Sequence, residues 1–296
     1  MNTSRTPGSV MVGVDGSSSS DLALAWAVRH AEANRRPLAI VHAAGTPVVT
    51  DFGLDLLEAR RGLRMAGRRV TDHALGLVRA SAPALGVSVD LALRDPRDLL
   101  ADFAVDASVL VLGTRGHGTV AGLLLGSVSV ALTAHAPCPV VVVRPAPASD
   151  APDELPVVVG VDGTEDSAGA ITFAFELAAQ QHRRLEAVHT ISDAWVIPAP
   201  MLVSSEMVEQ VLAEQRLLLA ESMAGYAEKF PDVVVHSRLV RGSPAQALVD
   251  SSQVASTVVV GARGRSAAKR RLLGSVSRSV VEHAHCTVVV VRGGLT

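Results

Sequence analysis

The chain has 296 residues, of which 48% are apolar and 19% are charged, and its formal net charge is −2. This composition predicts a globular protein, and the length favours two domains of roughly 150 residues over one large core. The near-neutral charge and an aromatic content of 3% argue against nucleic acid as the main ligand, because phosphate attraction and base stacking would both be weak.

No stretch of roughly 18 apolar residues occurs, and the first residues lack the apolar core of a signal peptide, so we expect neither a membrane-spanning nor a secreted protein. The two cysteines, Cys138 and Cys286, are too few for a disulfide framework and are not spaced as Cys-x2-Cys. They indicate a reducing cytoplasm, in which both would act as small buried apolar residues.

Short β-branched runs alternate along the chain with longer stretches of helical periodicity. Runs such as the valines at 140–143 are apolar on both faces, as in parallel strands that helices cover above and below. The first half is thus predicted to form one doubly wound α/β domain with a five-stranded parallel sheet. The elements predicted there, in chain order, are a strand at 9–14, a helix at 18–34, a strand at 38–43, a helix at 56–82, a strand at 87–91, a helix at 97–106, a strand at 109–113, a helix at 127–135 and a strand at 140–144.

The second half repeats the first. Val-Gly-Val-Asp-Gly at 12–16 returns at 159–163, and Gly-Ser-Val-Ser at 126–129 returns at 274–277. The shift changes only from 147 to 148 residues across the half, which indicates two tandem copies of one domain. A stretch rich in proline and acidic residues separates the copies and is typical of a linker. The predicted divisions are domain one at 1–147, the linker at 148–155 and domain two at 156–296.

Two features fall at the carboxyl ends of the predicted strands, where ligands bind in open parallel sheets. Asp15 and Asp162 directly follow the first strands, and a loop of the form Gly-x2-Gly-x9-Gly-Ser follows each fourth strand. Glycines let main-chain N–H groups converge on an anion, and the loop leads into a helix N-terminus whose dipole attracts phosphate. The sequence therefore predicts a phosphate site in each copy, with serines as additional hydroxyl donors. These serines are Ser127, Ser129, Ser275 and Ser277.

The loop pattern, the Val-Gly-Val-Asp opening and the duplication over essentially the whole chain resemble the tandem-domain universal stress proteins of the ATP-binding subgroup. The arginine-rich composition, in which Lys229 and Lys269 are the only lysines, is similar to that of actinobacterial members. The resemblance implies Rossmann-like domains of the adenine nucleotide alpha hydrolase-like class, with strand order 3-2-1-4-5. It further implies ATP bound at the switch point, dimerisation through the fifth strand, and a role in stress response or growth control.

Carried over by position, the resemblance implies ribose contacts for Gly13 and Asp15 and an adenine contact for the backbone at Ala43. For copy one it assigns the ribose and phosphates to Gly113, Thr114, Arg115, Gly116, His117, Gly118, Gly126, Ser127, Val128 and Ser129. The set implied for copy two is Gly160, Asp162, Thr190, Gly261, Ala262, Arg263, Gly264, Arg265, Arg271, Gly274, Ser275, Val276 and Ser277. Magnesium is expected only through the phosphates, near the aspartates, because the sequence contains no dedicated metal cage.

The second glycine loop is more basic than the first. Its Arg271 occupies a position from which a charged residue often faces the phosphates in such tandem proteins, whereas copy one has Leu123. Charge-assisted hydrogen bonds are the stronger ones, so we expect tighter and more salt-sensitive triphosphate binding in copy two. Copy one carries Arg115 and His117 in this loop, and copy two carries Arg263, Arg265, Lys269, Arg270 and Arg271.

The residues leave several alternatives open. Asp15 and Asp162 could be turn formers only, and His42 and His189, at the ends of the second strands, are expected to be structural rather than proton-transferring. An ATP-using enzyme is the main rival function, but no compelling nucleophile–base pair is present, which favours a regulatory nucleotide binder. The sequence lacks the glycine motifs of a P-loop enzyme and of a nicotinamide dehydrogenase, which argues against both. A protein-interaction scaffold with a vestigial pocket is the remaining rival.

The fifth strands would be sheet edges by chain order, and a bare valine edge invites uncontrolled pairing. We hypothesise that the two fifth strands pair with each other, or with those of a second molecule, about a two-fold or pseudo-two-fold axis. Replacing Val141 and Val289 by lysine is then expected to change the assembly observed by light scattering, because a lysine cannot be buried in such a contact. Unchanged scattering would count against the hypothesis.

Overall fold

The structure is a computed structural model and describes residues 6–46, 56–114, 125–191, 205–264 and 273–292. The chain divides into two compact units, Met1–Arg144 and Pro145–Thr296. Among the helices described, none combines the length and apolar character needed to cross a lipid bilayer.

The first unit is a parallel sheet of order β3-β2-β1-β4-β5 whose described strands alternate with helices. Its elements are β1 (Val10–Gly13), α1 (Ser18–Ala33), β2 (Leu38–Ala43), α2 (Leu56–Ser81), β3 (Val87–Ala92), α3 (Pro96–Ala104), β4 (Val109–Gly113), α4 (Ser127–His135) and β5 (Val140–Val143).

The second unit repeats this topology as a parallel sheet of order β8-β7-β6-β9-β10. Short 3-10 turns at Pro152–Glu154 and Ser252–Val254 precede β6 and β9. The elements are β6 (Val157–Gly160), α5 (Glu165–Gln181), β7 (Leu185–Ile191), α6 (Ser205–Met223), α7 (Tyr226–Lys229), β8 (Val235–Arg241), α8 (Pro244–Ser251), β9 (Thr257–Gly261), α9 (Ser275–His283) and β10 (Thr287–Val291).

The predicted doubly wound α/β fold is therefore confirmed in both units. In the first unit, α1 packs against α2 and α3 packs against α4, which forms a helical layer on each face of the sheet. The central strands are apolar on both faces because both are covered: in β1, Val10 and Val12 on one face are each 0% exposed, and Met11 on the other is 2% exposed. This is the burial pattern of a parallel sheet.

Ten of the eighteen element boundaries predicted for the first unit coincide with the structure, and the other eight differ by one or two residues. Local capping explains the altered start of one helix. The helix predicted at 97–106 begins at Pro96, because proline suits the first turn and the Asp95 carboxylate accepts a hydrogen bond from the Arg97 N–H at 2.8 Å. It ends at Ala104, and the Asp106 carbonyl instead accepts the Gly8 N–H at 2.7 Å.

Neither cysteine forms a disulfide, and both are buried just before the last strand of their unit, as the small buried residues that the sequence predicted. Cys138 is 7% exposed and Cys286 is 0% exposed. Burial raises the pKa of the Cys138 thiol to about 12, since the thiolate cannot be solvated there.

We predict that native protein at pH 8 reacts with about zero equivalents of a thiol-specific colorimetric reagent, and unfolded protein with two. A raised pKa means that the reactive thiolate is present in roughly one Cys138 in ten thousand at this pH, and the surrounding core blocks access to both thiols. The unfolded sample is the control. A rapid phase of one equivalent in the native protein would contradict the prediction.

Candidate functional site

An aspartate after each first strand organises the start of the next helix. In the first unit Asp15 Oδ1 accepts hydrogen bonds from the Ser17 N–H at 3.0 Å and from the Ser17 hydroxyl at 2.6 Å. Ser17 Oγ in turn accepts the Ser20 N–H at 3.2 Å and so caps α1. The sequence left open whether Asp15 only forms the turn, and the structure shows that its Oδ1 atom does stabilise the turn.

The second unit reproduces the turn with threonine in place of serine. Asp162 Oδ1 accepts the Thr164 N–H at 3.0 Å and the Thr164 hydroxyl at 2.6 Å. Thr164 Oγ1 accepts the Ser167 N–H at 3.3 Å and caps α5. In this turn Gly163 has a φ of +77°, and Gly16 has +86° in the first unit, a region that favours glycine.

A histidine on each second strand is hydrogen-bonded to the main chain at the start of the same turn. The Nδ1 atom of His42 lies 2.7 Å from the Val14 carbonyl, and that of His189 lies 2.6 Å from the Val161 carbonyl. Each carbonyl belongs to the residue just before the aspartate. Because a carbonyl only accepts, Nδ1 carries the hydrogen in both rings. The histidines are 8% and 4% exposed, so the structural role expected from the sequence is confirmed.

A main-chain hydrogen bond joins the two described ends of each glycine loop. The Gly126 N–H donates to the Thr114 carbonyl at 2.7 Å, and the Gly274 N–H donates to the Ala262 carbonyl at 2.8 Å. Ala262 was predicted to contact the ligand, but it is 0% exposed and its N–H donates to Val291. Its role is therefore to hold the loop to the sheet.

Two of the predicted serine donors are also committed to the sheet. The Ser129 hydroxyl donates to the Gly113 carbonyl at 2.8 Å, and the Ser277 hydroxyl donates to the Gly261 carbonyl at 2.6 Å. A hydroxyl has one hydrogen to donate, so these two hydroxyls are corrected from ligand donors to groups that fix α4 and α9 on the strand ends. The correction does not concern the main-chain N–H groups of the same residues.

Among the described residues, no side chain caps the N-terminus of α4 or of α9. Gly126 and Gly274 are the N-cap residues, and neither helix has an acidic residue in its first turn. The first N–H groups of a helix have no partner within the helix, and the positive end of the helix dipole lies there. The N–H groups in question belong to Ser127, Val128, Ser129, Ser275, Val276 and Ser277.

Gly113 and Gly264 lie where a side chain would not fit. A Cβ on Gly113 would lie 2.7 Å from the main-chain oxygen of Ser19 in α1, and a Cβ on Gly264 would lie 2.8 Å from Asp162 Oδ2. In the first unit the contact is tightened by the Thr114 N–H, which donates to Ser19 Oγ at 2.9 Å. The glycine loop of the second unit thus meets the carboxylate that follows its first strand.

The glycines that end the first strands leave room for leucine side chains of neighbouring strands and helices. A Cβ on Gly13 would lie 2.8 Å from Leu112 and 3.2 Å from Leu100, and one on Gly160 would lie 2.9 Å from Leu248 of α8. Gly160 also borders the cavity described next. Ala43, predicted to meet adenine, ends β2 and is partly exposed.

A cavity of about 250 Å³ lies at the carboxyl ends of the strands in the second unit. Its volume is close to the lower end of the range for small-molecule clefts, roughly 300–1,000 Å³. The predicted residues that line it are Gly160, Asp162, Thr190, Gly261, Arg263, Gly264, Gly274, Ser275, Val276 and Ser277. The lining residues that the sequence analysis missed are Val161, Ser167, Val188, His189 as a cavity residue, Pro244, Leu248 and Val260.

Several predicted site residues lie outside the described part of the chain. They are Arg115, Gly116, His117 and Gly118 of the first loop, and Arg265 and Arg271 of the second. Within the described ranges no cluster of three His, Cys, Asp or Glu side chains is arranged to hold a metal ion.

Comparison with known proteins identifies the family. The profile of the Universal stress protein family matches residues 8–144 and 155–292. A universal stress protein of Mycobacterium tuberculosis is 37% identical over 297 residues, which cover 97% of each chain. One of Mycobacterium bovis is 36% identical over 300 residues, which cover 99% of each chain.

A solved structure shows the same fold. The crystal structure of a universal stress protein from Archaeoglobus fulgidus covers 96% of this chain and 98% of its own, with a TM-score of 0.67 and 18% sequence identity. The profile matches each half of the chain separately, and the mycobacterial relatives extend over nearly its whole length. The chain therefore belongs to the universal stress protein family, as a member with two tandem domains.

Proposed function

We propose that this universal stress protein binds ATP in each of its two units and acts as a nucleotide-dependent regulator in stress response or growth control. The observation that carries the proposal is the cavity of the second unit. There Asp162, the end of the glycine loop and the uncapped N-terminus of α9 meet around one space. An apolar strand-end cleft with a convergent set of main-chain donors suits a nucleotide.

The lining separates into a polar part and an apolar part. Arg263, Gly264 and the first turn of α9 offer a positive charge and main-chain N–H groups, which suit a phosphate chain. Val161 and Leu248 contribute apolar surface, which suits a nucleoside. When ATP is bound, magnesium carried on its phosphates would add positive charge near Asp162. A carboxylate such as that of Asp162 is a preferred ligand of magnesium.

A regulatory role is proposed because such a ligand would join three separate segments of the second unit. A nucleotide bound here contacts the turn after β6, the loop after β9 and the first turn of α9 at once. It therefore favours conformations in which these three segments are together, and a ligand shifts an equilibrium by its difference in affinity for the two states. The cytoplasmic location and the pairing of fifth strands stay predictions.

The rival function is an ATP-using enzyme on the same fold. It would need a base near the ligand, and His189 is the histidine that borders the cavity. Its Nδ1 donates to the Val161 carbonyl, and its Nε2 lies 2.8 Å from Gln215 Oε1. With the hydrogen on Nδ1, Nε2 accepts from the NH2 group of the Gln215 amide once that amide is turned by about 180°. Both ring nitrogens are thus engaged in the structure, which favours a binding role over proton transfer.

We predict that the full chain binds two equivalents of ATP, and that Gly264→Ala binds one. An added methyl group would press on Asp162 Oδ2, and Asp162 cannot turn away without breaking its two hydrogen bonds to Thr164. Calorimetric titration gives the stoichiometry, and denaturing freshly purified protein identifies any nucleotide that it retains.

Gly76→Ala is the matched control, because a methyl group there meets nothing within 4 Å on the exposed side of α2. It should keep two equivalents of ATP and gain about 0.5–1 kcal/mol of stability from helix propensity. Absence of ATP binding in the unchanged chain would contradict the proposed function. Turnover of ATP with a second substrate would favour the enzyme.

We also predict that the second unit binds ATP more tightly and with a steeper dependence on salt. The comparison uses the full chain with one site disabled: Gly264→Ala leaves the first site, and Gly113→Ala, whose methyl group would collide with α1, leaves the second. One additional charge-assisted contact is worth about 1.5–3 kcal/mol, so the second site should be at least roughly tenfold tighter at low salt. Equal affinities, or the reverse order, would be evidence against it.

A further inference from the structure

Ser167 lies in the first turn of α5 and borders the cavity of the second unit. The residue is 3% exposed, and its hydroxyl oxygen is buried with no hydrogen-bond partner in the part of the chain that the structure describes. A buried hydroxyl without a partner opposes folding, because it has lost its bonds to water and gained none. Such a group in a natural protein requires an explanation.

The first unit supplies a direct comparison. Ser20 is the equivalent residue, because both serines lie five residues after the aspartate of the turn. Ser20 is 4% exposed, and its hydroxyl donates to the Ser17 carbonyl at 2.9 Å. The same residue in the same turn is therefore satisfied within the protein in one unit and not in the other. Helix geometry alone does not explain the difference.

The neighbours of Ser167 indicate which ligand atoms it could reach. Its N–H is bonded to Thr164, which is bonded to Asp162, and Asp162 lies against Gly264 of the glycine loop. Ser167 thus belongs to the polar side of the cavity, where the phosphate-binding N–H groups of α9 also lie. A hydroxyl donates well to a ribose oxygen or a phosphate oxygen, and shielding from water strengthens such a bond.

We propose that the Ser167 hydroxyl donates a hydrogen bond to an oxygen of the ribose–phosphate part of the nucleotide in the second unit. This inference rests on the proposed function. Ser167 is then a specificity-determining residue that the second site has and the first lacks, because the Ser20 hydroxyl is bonded to its own helix turn. The unsatisfied hydroxyl costs stability in the free protein and is satisfied when the nucleotide binds.

The test compares Ser167→Ala with Ser20→Ala in the full chain. Two quantities are measured: the thermal midpoint of the free protein, and the ATP affinity of the second site, read with Gly113→Ala as the background. Ser167→Ala should leave the thermal midpoint unchanged or raise it, since an unpaired hydroxyl is removed, and should weaken ATP about tenfold. Ser20→Ala should lower the midpoint, since it loses a hydrogen bond, and should leave the ATP affinity of the first site unchanged, read with Gly264→Ala as the background.

Titrations with adenosine separate the two kinds of oxygen. If Ser167→Ala lowers the affinity for both ATP and adenosine, the hydroxyl contacts the ribose. If it lowers the affinity for ATP alone, the hydroxyl contacts a phosphate. If the unchanged protein binds ATP and Ser167→Ala binds it equally well, the inference is wrong and the proposed function stands. A variant that loses stability and affinity together also overturns it, because Ser167 would then be structural. No ATP binding by the unchanged protein overturns both.

Discussion

The hydrogen bonds that Asp15 and Asp162 accept from the residues two positions later determine where each sheet meets its first helix. The carboxylate fixes the turn, the turn places the N-cap, and a histidine from the second strand holds the preceding carbonyl. The glycine loop of the second unit then packs directly on this aspartate. One side of that cavity is therefore bordered by a turn built from one charged side chain and one hydroxyl.

The fold was predictable because both periodicity and duplication are strong signals. Valine runs that are apolar on both faces require helices above and below, and the repeated Val-Gly-Val-Asp opening requires the second half to follow the first. The glycine spacing predicted the loops, and ten of the residues predicted for copy two line one cavity. The loop positions depend on the conformation of the main chain, and the spacing of glycines in a sequence indicates that conformation.

The hydrogen-bond partners and the burial of individual side chains could not be predicted in the same way. A serine near a glycine loop can donate to a ligand or to the end of a strand, and only the geometry shows that Ser129 and Ser277 donate to the strand. Ala262 was assigned to the ligand by its place in the motif, but its burial against the sheet depends on residues far along the chain. Ser167 carries no motif, and the comparison with Ser20 becomes informative only when the partners of both hydroxyls are known.

Duplication gave the chain two versions of one scaffold whose first turns differ in detail: a serine caps α1 and a threonine caps α5. Because each turn is built from its own residues, either unit can change without altering the other. Under the proposed function, two sites of equal affinity fill over a single narrow span of ligand concentration, whereas two of unequal affinity fill in succession. One hydroxyl bonded differently in the two units would then be enough to give a duplicated nucleotide binder a graded response.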